Sequence, residues 1–379
     1  MDYRFPQGLN IKTSLLGFGG MRFPEIDGKI DHDKAVKLID LAMASGINYY
    51  DTAYVYHNGQ SETCFRDTLV RRYPRDSFFI ADKLPVWCCN TPQEMDSMFD
   101  TQLERLGVDC IDFYLLHSMT FIEWQRMKSL GVQEWLLDKR ARGQIRFIGF
   151  SSHDNPEGFR SIVEDWDEWQ FAQLQVNYFD WEALESDKTY KMLEEKGLPL
   201  IIMEPIRGGN LANLKPEIGS IFQQANPGRS NASYALRWVG ELGNTAVVLS
   251  GMGTLEQIEE NARTYSPLEP LSEREHALIA RVLDALNKLS LIPCTNCGYC
   301  GDCPQELNIP FLFSCMNSYV KFDDTGYLTW RYLYDSPSKK TFEHCVECGQ
   351  CSAICPQHID IPAELKKIHE LTLDLVNKK

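Results

Sequence analysis

The sequence predicts an α/β protein in which a closed (β/α)8 barrel is followed by a small cysteine-rich domain. Up to about residue 265, eight short apolar runs alternate with amphipathic stretches of helical period. The runs are nearly all apolar, as strands buried on both faces must be. Eight cysteines then gather near the C-terminus in two evenly spaced groups. Eight strands alternating with helices favour a closed parallel barrel over an open sheet.

The strands are expected at 15–19, 48–51, 78–81, 113–116, 147–150, 174–176, 200–203 and 246–249. Helical patterns follow most of them, at 34–44, 94–106, 131–142 and 255–262. After the last strand comes TLEQIEENA, where Thr254 caps a helix and Glu256–Glu260 complement its positive end. The barrel is assigned to residues 1–270, a linking helix to 271–292 and the cysteine-rich domain to 293–379.

The composition is that of an ordinary globular protein, with 44% hydrophobic and 24% charged residues. No run approaches the ~18 apolar residues of a membrane span, and MDYRFPQGLN lacks the pattern of a secretion signal. The cytoplasm is therefore expected, where free thiols persist. A net charge of −15 argues against nucleic acid as a partner.

The first cysteine group is Cys294, Cys297, Cys300 and Cys303, followed by Pro304. The second is Cys345, Cys348, Cys351 and Cys355, followed by Pro356. A thiolate at every third position lets one turn of backbone present several sulfurs to one small centre. The second group has the C-x2-C-x2-C-x3-C-P spacing of a bacterial-type iron–sulfur site. Zinc sites also use paired C-x2-C motifs, but the Cys-Pro ending favours [4Fe-4S] clusters, and two are expected. The domain is read as ferredoxin-like. In two-cluster ferredoxins the fourth cysteine of each run serves the other cluster. That logic joins Cys355 to Cys294, Cys297 and Cys300, and Cys303 to Cys345, Cys348 and Cys351. The first run has one residue fewer before its last cysteine, and a single cluster on the second run is the alternative. Cys315 reads as packing, as do Cys64, Cys88, Cys89 and Cys110, which lack metal spacing.

In a (β/α)8 barrel, chemistry collects where strands end. The second strand ends at Asp51, with Tyr56 five residues on. The third ends near Lys83, the fourth at His117, the fifth at Ser151 and Ser152, the sixth near Gln175 and Asn177, and the seventh at Glu204. Singly these are a turn former, a loop lysine, a core histidine or a packing tyrosine. On consecutive strands of one barrel they point into one cleft.

Asp51, Tyr56, Lys83 and His117 form the pattern of the aldo-keto reductases. The phrases GINYYDTAYVYHNGQSE, DKL, FYLLH, IGFSS, LQVNY and QIEENA occur in that family's order. From about residue 10 to 265 the chain resembles this family. As a whole it resembles the subgroup of oxidoreductases whose barrel carries a C-terminal 4Fe-4S ferredoxin-like domain. The resemblance implies reduction of a carbonyl, or the reverse oxidation of an alcohol, with NADP or NAD. Tyr56 would be the general acid, and Lys83 would lower its pKa. Asp51 would hold Lys83, and His117 would orient the carbonyl and assist proton transfer. Ser151, Ser152 and Gln175 match the holders of the nicotinamide amide. Gly20 and Met21 match the first turn against the cofactor, and Glu260 and Asn261 match the adenine readers.

Three departures stand out. Met203 occupies the place of the aromatic that stacks on the nicotinamide. Gly251 and Gln257 fall where basic residues hold the 2′-phosphate of NADPH, with Arg263 nearby as the candidate substitute. Ordinary members carry no cysteine array. Loops 85–90, 119–128 and 208–227 would set specificity, with Trp87, Phe121, Trp124 and Tyr178 as an aromatic lining. The substrate would be a small carbonyl or alcohol, with a redox partner protein open. Hydride transfer moves two electrons together, whereas a cluster moves one. The clusters therefore take an accessory electron-transfer or structural role. The alternative is an electron-transfer or redox-sensing protein in which the barrel binds a partner and hydride transfer is secondary.

Overall fold

The computed structural model describes residues 1–289, 291–294 and 297–378. Ser290 of the expected linker lies outside the described residues, as do Thr295, Asn296 and Lys379 of the expected C-terminal domain. The chain divides into two compact units. One comprises Met1–Leu211 with Ala232–His276, and the other Ala212–Asn231 with Ala277–Lys379.

The first unit is a closed barrel of eight parallel strands. They are β1 (Leu16–Gly19), β2 (Tyr49–Asp51), β3 (Phe79–Pro85), β4 (Ile111–His117), β5 (Ile145–Ser152), β6 (Phe171–Gln175), β7 (Leu200–Met203) and β8 (Thr245–Ser250). Neighbours pair in sequence order, and β8 closes on β1. All eight expected strands are present, and two of the differences in extent bear on the site. β3 runs on through Asp82 and Lys83, because Lys83 pairs in register with Leu115 and its charge is met inside the barrel. β6 starts at Phe171 rather than at 174, because Gln173 interrupts an apolar run while remaining buried.

Strand alternation explains how polar groups reach the mouth. Successive side chains face opposite ways. Tyr49, Ala81, Leu115 and Phe171 belong to the cluster that fills the barrel interior. Asp51, Lys83 and His117 sit two residues beyond the first three on the same inner face. Gln173 and Gln175 continue the inner face of β6. Gly149 leaves room for the Phe171 ring, since a Cβ there would stand 2.6 Å from it. Leu9 and Ile11, between the paired segments Tyr3–Arg4 and Thr13–Ser14, join the same cluster.

The second unit packs helices Ile309–Phe322, Thr325–Tyr334 and Ile361–Asn377 around Leu312, Phe313, Leu328, Tyr332, Leu365 and Ile368. Cys315 is buried in this core, and burial pushes its thiol up to about 11. Among the described residues, no helix is long and apolar enough to cross a membrane.

Candidate functional site

At the barrel mouth, Lys83 is fully buried. Its Nζ donates to Asp51 Oδ1 at 2.6 Å, to the Thr52 carbonyl at 2.6 Å and to the Tyr56 hydroxyl at 3.4 Å. Burial alone would push the lysine pKa down. Asp51 and Tyr56 more than offset this and hold it above its ordinary value. Burial pushes the Asp51 carboxyl up, and Lys83 pulls it back. The ammonium also lies 4.9 Å from the Tyr56 ring centre. Tyr56 opens a tight turn in which His57 and Asn58 take left-handed backbone, at φ 50° and 55°.

The expected depression of the Tyr56 pKa requires a correction. Lys83 does lower it, but burial outweighs that effect, and the phenol lies above its ordinary value. His117 is also corrected in part. Burial, with Lys83 and His153 adding to it, drops the imidazole from 6.5 to about 3. The ring is therefore neutral at physiological pH and cannot serve as an imidazolium acid. It stands edge-on to Tyr56 at 6.0 Å between ring centres, and Trp87 covers it at 5.1 Å. Among the described residues, the buried atoms Asp51 Oδ2, His117 Nδ1 and Tyr178 Oη have no hydrogen-bond partner. Unsatisfied polar atoms around a mouth suit a polar ligand.

The structure brings Asp51, Tyr56, Lys83 and His117 together. The remaining site residues are arranged less simply. Ser151 Oγ accepts from the Ser118 amide at 2.9 Å. Ser152 Oγ donates to the Met119 carbonyl at 2.7 Å. Gln175 Nε2 donates to Asp180 at 2.8 Å. Asn261 Nδ2 reaches Ser250 Oγ at 3.1 Å, which ties the helix Leu255–Thr264 to the end of β8, and Glu260 is on the same helix. Gly20 is packed beneath Phe65 and Ser61, where a Cβ would stand 2.5 Å from the ring, whereas Met21 is exposed. Gln257 is used in a capping box, its Oε1 accepting from the amides of Gly253 and Thr254. Arg263 is in the last turn of that helix, at the far end from Gly251, so it is no substitute for a cation there.

Trp124 also departs from expectation. It is buried against Trp169 and donates to Asp165, so it belongs to the core rather than to the cleft. Cys89 is likewise buried packing. A trio that the sequence reading passed over lies behind Lys83, with Asp82 and Glu62 buried and Arg105 half-buried. The Asp82 carboxyl meets Glu62, which pairs with Arg105 at 2.8 Å. Burial and Glu62 push the Asp82 carboxyl well above the carboxylate range.

In the second unit, one cavity is bordered by Cys294, Cys297, Cys300 and Cys355. A second is bordered by Cys303, Cys345, Cys348 and Cys351, and Cys300 reaches it as well. The cavities thus group Cys355 with the first run and Cys303 with the second, with Cys300 on both. Burial pushes the Cys300 thiol up to about 11, and Cys294, Cys351 and Cys297 add to the shift. Among the described residues, no three His, Cys, Asp or Glu side chains close on a single metal ion. Thiols spread around a cavity suit a multi-iron cube better than one zinc with sulfurs at ~2.3 Å.

The two halves repeat one another beyond the cysteines. Gly298 and Gly349 follow the second cysteine of each run at φ 77° and 73°. CPQELNIP and CPQHIDIP follow next, with Glu306 and His358 both left-handed. Asn308 and Asp360 then cap the next helix of each half. The missing residue before Cys303 is absorbed locally. Tyr299–Gly301 forms a 3-10 turn where Gln350–Ala353 forms an α turn, and the tighter helix uses fewer residues per turn.

A model of the Aldo/keto reductase family matches residues 15–284. The chain belongs to this family. A 4Fe-4S dicluster domain matches residues 293–359. The chain is thus an aldo-keto reductase-type oxidoreductase carrying a C-terminal 4Fe-4S domain. L-galactose dehydrogenase of Arabidopsis thaliana is 24% identical over 305 residues, covering 74% of this chain and 93% of that protein. An aldo-keto reductase of Mycolicibacterium smegmatis is 28% identical over 218 residues, 56% of this chain and 72% of the relative. Among solved structures, an aldo-keto reductase from Bacillus halodurans in its holo form superposes with a TM-score of 0.62 at 21% identity. The match covers 74% of this chain and 96% of that one. One from Klebsiella pneumoniae in complex with NADPH superposes at 0.61 and 20% identity, over 75% and 96%. At this identity the structural likeness speaks to the barrel fold. The tetrad and the thiol sets are features of this aldo-keto reductase's own side chains.

Proposed function

We propose that the barrel reduces a small carbonyl compound, or oxidises the corresponding alcohol, with NADPH or NADH. The observation that carries this is the buried Asp51–Lys83 pair, with its ammonium 3.4 Å from the Tyr56 hydroxyl. When bound, the reduced nicotinamide supplies a hydride. Tyr56 holds its proton at neutral pH and gives it from Oη to the carbonyl oxygen. Lys83 stabilises the phenolate left behind, and Asp51 keeps Lys83 charged and fixed. The neutral His117 ring orients the carbonyl. Ser151, Ser152 and Gln175 are read as contacts to the nicotinamide end, and Glu260 and Asn261 to the adenine end. Gly20 and Met21 border the same cofactor. Tyr56→Phe should lower kcat by about 10²- to 10⁴-fold and leave the cofactor Kd unchanged in fluorescence titration. Retained turnover would refute the acid role.

In the second unit we assign Cys294, Cys297, Cys300 and Cys355 to one [4Fe-4S] cluster. Cys303, Cys345, Cys348 and Cys351 are assigned to a second. When bound, such clusters supply one-electron transfer. Anaerobic analysis should find about eight iron atoms per chain if both sets are filled; about four would leave a single cluster. A second reading has the barrel bind a redox partner, with hydride transfer secondary. Exposed Tyr299, Val346 and Ile354 beside the cysteines favour it. Reduction of the clusters by NADPH or NADH alone would count against it.

A further inference from the structure

We propose that Arg22, from the loop after β1, grips the pyrophosphate of the nicotinamide cofactor. This inference rests on the reading of the barrel as a nicotinamide site. Arg22 ends the short turn Gly20–Arg22 that follows β1. Its stem lies on Gly251, just past β8, where a Cβ would stand 2.5 Å from Arg22 Cγ and 2.9 Å from its Cβ. Its guanidinium extends toward the turn after β7, with Nη2 3.8 Å from where a Gly208 Cβ would be. Gly208 has φ 64°, so a side chain there would also be strained. Two glycines thus leave a lane along which one arginine crosses from the loop after β8 to the loop after β7.

The loops after strands 7 and 8 are where (β/α)8 barrels hold phosphate. Arg22 is exposed, and among the described residues it has no ion pair or side-chain hydrogen bond. A planar guanidinium without a carboxylate partner is suited to bidentate phosphate binding. Gln257, aligned like Gly251 with 2′-phosphate recognition, is used in the cap, whereas the Arg22 guanidinium is directed to the loop after β7. The pyrophosphate, common to NADH and NADPH, is therefore the group within its reach. Gly251 is not a lost phosphate ligand on this view. It is the space that lets a residue from the first loop do the work.

The test is fluorescence titration of the holoprotein with NADH and with NADPH. Arg22→Ala should weaken both by the same factor, about 10- to 100-fold, and flatten the salt dependence of Kd. Its melting temperature without cofactor should match wild type. Gly251→Ala should give a similar loss by displacing Arg22, and the double variant should lose no more than either single one. Unchanged Kd values in Arg22→Ala, or weakening of NADPH alone, would overturn the assignment. A wild-type protein that binds neither cofactor would sink the proposed function as well.

Discussion

At the barrel mouth, the protein neutralises its own charges. Lys83 and Asp51 meet at 2.6 Å, and burial holds Tyr56 and His117 in neutral forms. The cysteine-rich unit does the reverse. Eight thiols border two cavities, and after burial the neighbouring thiolates themselves push Cys300 up. Deprotonating them all in place requires cations from outside. One site is preorganised by the fold, whereas the other is completed by what it binds. Metal binding of that kind is coupled to folding, so the two units should respond differently to the same insults.

The largest contrast should follow removal of iron. Anaerobic chelation should abolish the helical signal and protease resistance of the second unit and leave the barrel's cooperative melt intact. A barrel that unfolds in step would break the contrast. Lys83→Met attacks the other side. It strands Asp51 as a buried, uncompensated carboxylate and should cost about 3–5 kcal/mol in barrel stability, measured by urea titration, without lowering iron content. Gly298→Ala and Gly349→Ala probe the repeat. Among the described residues no atom lies within 4 Å of an added Cβ at either site, so the cost expected is that of left-handed backbone. Each should cost about 1 kcal/mol. Equal drops in melting temperature would support equivalent half-sites. A further contrast is in pH. His117 titrates at about 3 when folded and near 6.5 when unfolded. Its contribution is complete above 6.5 and is lost as pH falls toward 3. Barrel stability should fall over that window in wild type, and less so in His117→Gln.

The same contrast explains what was legible. The eight cysteines lie in two contiguous runs, so their spacing alone exposes them. The barrel tetrad is scattered from Asp51 to His117, and it became readable only because apolar strands stop where chemistry begins. The equivalence of CPQELNIP and CPQHIDIP was in the sequence too. It was hidden because Glu306 and His358 differ chemically and share only a left-handed backbone. Trp124 misled because an indole reads the same in a core and in a cleft. Arg22 gave no signal at all, since its partners are the missing side chains of Gly208 and Gly251.

Strand periodicity and cysteine spacing by themselves determined a barrel and a C-terminal iron–sulfur domain, and the residues at the strand ends carried the family resemblance. These are local patterns, set by alternation along a strand and by turns of backbone. Only the tertiary structure decided that burial outweighs Lys83 at Tyr56 and that His117 is neutral. It also showed that the short spacing before Cys303 is taken up by a 3-10 turn. Each of these depends on distance and burial between groups remote in the chain, and electrostatic energies follow those quantities rather than residue identity.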